Sequence, residues 1–197
     1  MKKAEQLKKD QRRQARMARR AEEEARRRQG QRRRQLYVVG GAAALAVVIG
    51  LWVWSATRPK LGEAIPTLLN VPHIPSITSP HEPYNSNPPT SGQHVAAPAP
   101  WGFYTEVIAD EVLVHNLEHG GIWISYKDPK DTATIDQLRA LMPQLPRKTI
   151  VTLRPKNDSR IAVAAWGRLM ELDHVDAGKI VEFANEFRNT SPEPLAP

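Results

Sequence analysis

A run of 21 uncharged residues, LYVVGGAAALAVVIGLWVWSA from Leu36 to Ala56, constrains this 197-residue chain more than any other stretch of it. At a rise of about 1.5 Å per residue, a helix of that length crosses the roughly 30 Å hydrocarbon core of a bilayer. Tyr37 near one end and Trp52 and Trp54 near the other suit the two interfaces, where amphipathic rings settle. A soluble core helix would carry a polar face, and the run has none. It is also longer than the roughly 7–15 apolar residues of a cleavable leader, and a cut after Ala56 would put bulky Trp54 where a small residue is wanted. An uncleaved transmembrane signal anchor is therefore expected over 36–56.

Charge orients it. Residues 1–34 hold 15 Lys/Arg and 5 Asp/Glu, a net +10, whereas the remaining 163 residues hold 13 and 16, a net −3. The basicity belongs to a tail, so nucleic acid is not the partner that composition implies. Only Arg58 and Lys60 follow the run closely, which puts the N-terminus in the cytoplasm and residues 57–197 outside a plasma membrane crossed once. In the tail, Glu22, Glu23 and Glu24 each precede an arginine by four, at Arg26, Arg27 and Arg28. That spacing supports an exposed, charged helix, although a tail with so little apolar content can equally be disordered. It is expected to rest on anionic lipid, with ribosome, nucleic acid or a protein as the alternative contact, and no protein partner can be named.

Of the 17 prolines, ten lie between Thr57 and Pro100, which rules out helix or central strand there. Residues 57–72 read as a linker. The stretch from His73 includes His81, Tyr84, the turn-forming NPPTSG and His94, and reads as an ordered loop wrapped around a domain spanning 73–190. Beyond Pro100, strands are expected at GFYTEVI (102–108), 121–127, 148–154 and 160–167. Helices are expected over 131–141 and from about Asp176, with a disordered tail at 191–197. The order β-α-β-β-α implies an α+β fold, a small and mostly antiparallel sheet with helices packed on it. The same order resembles the second half of a thioredoxin-like fold in topology alone, because a chain without cysteine has no C-x-x-C. Disulfides and thiolate ligands are excluded for the same reason.

Five of the six histidines fall between residues 73 and 119. DEVLVHNLEHGG (Asp110–Gly121) sets His115 and His119 four apart, about 13 Å on a strand but one turn apart on a helix, where they can share an ion. Asp110 is a competent N-cap and Gly120 a competent terminator. On that helix Glu111, His115, Glu118 and His119 occupy one side, and Leu113 and Leu117 another. The candidate ligands are His94, His115 and His119, with His73 or His81 as a fourth, and Glu111, Glu118 and Tyr84 as polar groups behind them. Nitrogen ligation suits Zn(II) or Cu(II). The plain alternative makes these histidines hydrogen-bonded structural residues of an envelope scaffold. A third reading takes H-N-L-E-H as the H-x-x-E-H of an inverzincin-like zinc peptidase, with Glu118 activating water and Glu182 or Glu186 completing the site. A helix of nine residues, a five-residue pattern and a small domain weigh against it. His174, alone before the last helix, reads as a helix-entry residue.

YNSNPPTSGQH (Tyr84–His94), WGFY (Trp101–Tyr104) and VHNLEHGGIWISY (Val114–Tyr126) together resemble the bacterial family catalogued as domain of unknown function 3105. AAWGRL (Ala164–Leu169) and the terminal helix fit its later part. The resemblance implies a membrane-anchored extracytoplasmic domain whose motif histidines fall on His94, His115 and His119. An upstream histidine of the family falls on His73 or His81. It implies no reaction, since the family has no settled activity.

Overall fold

A computed structural model describes residues 2–68 and 72–196, so the expected linker lies partly outside the described residues, at 69–71. Side chains of 2–15, 18, 21, 23–25 and 56 are likewise outside the description. The chain divides into two compact units, Met1–Pro59 and Lys60–Pro197.

The first unit is one helix, α1 (Lys2–Thr57), which runs without a break through the basic tail and the apolar run. Its stretch Arg26–Ser55 is long and apolar enough to cross a membrane. Leu36, Val39, Leu45, Ile49, Leu51 and Trp54 all stand exposed on it, an arrangement that water penalises and hydrocarbon does not.

In the second unit the elements follow as β1 (Glu63–Ala64), β2 (Gly102–Val107), α2 (Asp110–Glu118), β3 (Ile122–Tyr126), α3 (Thr132–Leu141), a single 3₁₀ turn, β4 (Thr149–Leu153), β5 (Ile161–Ala165), β6 (Arg168–Leu172) and α4 (Ala177–Phe187). The strands form one sheet in the order β1-β6-β5-β3-β4-β2. Its pairings are antiparallel at β1–β6, β6–β5 and β5–β3, and parallel at β3–β4 and β4–β2. A parallel neighbour needs a crossover, which α3 supplies between β3 and β4. The fold is thus α+β with a mostly antiparallel sheet.

Every residue of β3 (IWISY) and β5 (IAVAA) is buried, as their near-continuous apolar sequence requires of strands covered on both faces. Side-chain alternation then builds two cores. Ile122, Ile124 and Tyr126 pack with Leu138 and Leu141 of α3 and Ile180, Phe183 and Phe187 of α4. On the opposite face Trp123 packs with Leu113 and Leu117 of α2. Thus α2 covers that face together with loop residues Ile65, Ala99 and Trp101.

Two local expectations need correction. RLMEL forms β6, which no strand assignment covered; it is paired with β5 through a tight turn at Trp166–Gly167. Its arginine and glutamate obscure the alternation that makes a strand legible. Asp110 is not the N-cap of α2. Ala109 occupies that position without a side-chain bond, and Asp110 is the first helical residue. Its carboxylate instead accepts from Arg154 Nε at 2.9 Å and Nη2 at 2.8 Å, a bidentate charged pair that outcompetes a single cap N–H.

Asp131 does cap α3, accepting from the Thr134 N–H at 3.2 Å and from Arg160 Nε at 2.6 Å. The Arg160 hydrogen bond, and after it those of Thr134, hold its carboxyl well below the usual carboxylate range. A folded-state pKa below the unfolded one gives stability that is complete above the unfolded value, about 3.9, and disappears as pH falls through the folded one. An Asp131→Ala chain is therefore expected to melt below wild type at pH 7, with the two melting curves converging as the buffer is acidified. A gap that stays constant in acid would contradict this assignment.

Candidate functional site

The site is made where the Pro-rich loop lies on α2. Ile74 forms a parallel bridge with Val95, and its N–H donates to the His94 carbonyl at 2.9 Å, which sets His73 and His94 side by side. The loop is held to α2 by Val95 N–H on the Glu111 carbonyl at 3.1 Å. It is held again by Asn116, whose Oδ1 accepts from Ala99 N at 3.0 Å while its Nδ2 donates to Ala99 O at 2.8 Å. Asn116 is fully buried, and this two-way grip uses both halves of its amide. The sequence reading passed over it, although an asparagine inside H-N-L-E-H, on the helix side next to the leucines, is a signal of an amide with main chain to satisfy.

His94 is fixed from behind. Its Nδ1 donates to the Gly92 carbonyl at 2.7 Å. Gly92 sits at φ +126°, and a Cβ there would come within 2.8 Å of the Tyr84 ring, so the turn and the tyrosine fit only with glycine. The Tyr84 hydroxyl donates to the Gln93 carbonyl at 2.7 Å, and burial, then Glu111 and Asp110, push its pKa up.

From the helix come His115 and Glu118, three residues apart and so on one side of α2. Among the described residues, His73, His94, His115 and Glu118 form a group whose ligand atoms all lie within 4.8 Å of one another. His94 Nε2 is 2.9 Å from Glu118 Oε2, and His73 Nε2 is 3.9 Å from the same oxygen. The ring centroids of His94 and His115 are 5.1 Å apart, and those of His73 lie 4.8 Å from His94 and 5.3 Å from His115.

With His94 Nδ1 donating to Gly92, its Nε2 meets a Glu118 carboxylate oxygen across 2.9 Å, a contact that either a proton on the ring or a shared cation completes. His115 is 4% exposed. Val95 main chain hydrogen-bonds its ring in the sense that favours charge, as a carbonyl acceptor does. Its buried Nδ1 finds no partner among the described residues. Burial, then His119, His94 and His73, lower the His115 pKa to about 4, so at neutral pH that nitrogen is an unprotonated lone pair.

The other expected residues lie around this group, outside it. His81 donates from Nδ1 to the Glu82 carbonyl at 2.8 Å and places Nε2 3.4 Å from Glu111 Oε1, so His81 pairs with Glu111. His119 packs its ring 4.4 Å from that of His115 and brings Nε2 within 3.8 Å of Glu193 Oε2. Residues 191–196, expected as a loose tail, are tied down beside it. Glu193 N–H donates to the Glu118 carbonyl at 3.1 Å, and Lys148 Nζ donates to the carbonyls of His119 at 3.0 Å, Pro194 at 3.1 Å and Ala196. Glu182 and Glu186 belong to α4, whose buried side packs on the sheet face opposite α2.

Three imidazoles and a carboxylate converge on the flank of a small α+β domain, a group of side chains that could hold a metal ion. Residues 79–197 match the family described as protein of unknown function DUF3105, and the chain belongs to that family. His73 precedes the matched span. No curated protein and no solved structure matches the chain.

Proposed function

We propose that this chain is a membrane-anchored, extracytoplasmic metal-binding protein, with a transition metal held by His73, His94, His115 and Glu118. The observation that carries the reading is the convergence of three imidazoles and a carboxylate whose ligand atoms all lie within 4.8 Å of one another, with the buried Nδ1 of His115 left without a partner among the described residues. An ion bound by three nitrogens and one oxygen fits that group, and the donor set suits Zn(II) or Cu(II). His119 with Glu193, and His81 with Glu111, then flank the ligands and are not among them. The excess of basic residues ahead of the apolar stretch of α1 supports a cytoplasmic N-terminus, contact of residues 1–34 with anionic lipid, and a domain on the outer side of the plasma membrane.

The peptidase reading assigns zinc to His115 and His119 and leaves Glu118 free as a base. The contact of Glu118 with His94 argues for Glu118 as a ligand instead. One substitution separates the two. Elemental analysis of the detergent-solubilised full-length protein is expected to find about one metal ion per chain, with affinity reduced at least about tenfold in Glu118→Gln. A peptidase would keep its metal in that variant and lose turnover alone. A wild-type chain free of Zn, Cu, Ni, Co, Mn and Fe, and unable to take them up, would leave the histidines a structural role.

A further inference from the structure

We propose, resting on the metal-binding reading above, that His73 is the exchangeable ligand, and that the metal enters and leaves on its side by trading the His73 imidazole for an imidazole-sized nitrogen donor from outside. The four side chains are held very unequally. His94 is 2% exposed at its side chain and pinned through Nδ1, whereas the His73 side chain is 48% exposed. Among the described residues no hydrogen bond fixes the His73 ring, which only approaches Glu118 at 3.9 Å and packs its edge and face on His94 and His115. His115 and Glu118 ride on α2, anchored by the fully buried Leu113 and Leu117. To free His94 or His115, both buried, the loop gripped by Asn116 must lift or the helix must leave the sheet. To free His73 needs only a rotation of an exposed side chain.

The exchange is a substitution at the metal. The bond to the His73 nitrogen breaks as a bond to the incoming nitrogen forms, and no charge or oxidation state changes. His94, His115 and Glu118 keep the ion throughout. The space vacated by a neutral imidazole has the size and polarity of the same ring, which points to a histidine side chain of a metal donor or acceptor as the natural occupant.

The test uses the full-length chain in detergent, loaded with Co(II) as a visible-absorbing probe, and compares wild type with His73→Gly and His94→Gly. His73→Gly is expected to retain one Co(II) with altered d–d bands, to recover the wild-type spectrum on addition of free imidazole, and to surrender the ion to a chelator at least about tenfold faster. His94→Gly is expected to lose the ion whether or not imidazole is present. The proposal is overturned if His73→Gly loses Co(II) outright, if it releases the ion at the wild-type rate, or if imidazole rescues both variants equally. Circular dichroism of His73→Gln, which keeps side-chain bulk at this exposed position, separates a lost ligand from a lost fold. A wild-type chain that binds no Co(II), Zn(II) or Cu(II) removes the site itself, a result distinct from each of these.

Discussion

A His94→Ala chain is expected to melt at the same temperature with and without added Zn(II) or Cu(II), while the wild-type chain is stabilised by the ion. An ion that binds only the folded state, present at a hundredfold excess over its Kd, adds about 2.7 kcal/mol. In a domain of this size that amounts to a rise of roughly 5–10 °C. The effect should vanish completely in the variant because His94 has no substitute nearby. His119 is engaged beside Glu193, His81 faces Glu111, and both stand outside the converging group. Thermal melts in chelator and in excess metal provide the check, and an equal rise in both proteins would contradict the assignment of His94.

The second large effect lies at the other end of α2. Arg154→Ala is expected to cost about 3–5 kcal/mol, measured by urea denaturation, as breaking one partner of a buried ion pair does. Arg154 is buried at the end of β4, with both carboxylate oxygens of Asp110 and the Asn157 Oδ1 as acceptors, the last at 3.1 Å. Removing it strands Asp110 at the helix entry. The double variant Asp110→Ala, Arg154→Ala is expected to lose less than Arg154→Ala alone, since no orphaned charge remains. Because Asp110 begins the helix that carries His115 and Glu118, metal affinity should fall with Arg154→Ala as well.

Legibility followed the locality of the forces. Helices α3 and α4 and strands β3, β4 and β5 were readable because their apolar spacing and capping residues act within a few positions. β6 was not, since its register is imposed by β5 across a two-residue turn. α2 was readable from DEVLVHNLEHGG, but its entry was not, because the Asp110 partner, Arg154, is 44 residues away. The same limit shaped the site. That the Pro-rich loop brings histidines to α2 was legible from composition. Whether His73 or His81 arrives depends on the Ile74–Val95 bridge, a long-range pairing with no local signature. The i,i+4 rule made His119 the natural companion of His115. His119 is the C-cap of α2 and does keep its ring against that of His115, at 4.4 Å, but the ligand atoms that converge with those of His73 and His94 are those of His115 and Glu118.

The bridge between Ile74 and Val95 also bears on the thermodynamics of uptake. It closes the loop carrying His73 and His94 with main-chain bonds alone, so the conformational entropy of gathering those two side chains is lost during folding and not during binding. Calorimetry of metal binding should therefore show a small heat-capacity change, unlike coupled folding and binding, and amide exchange across residues 74–95 should be slow in the metal-free protein as well as in the loaded one.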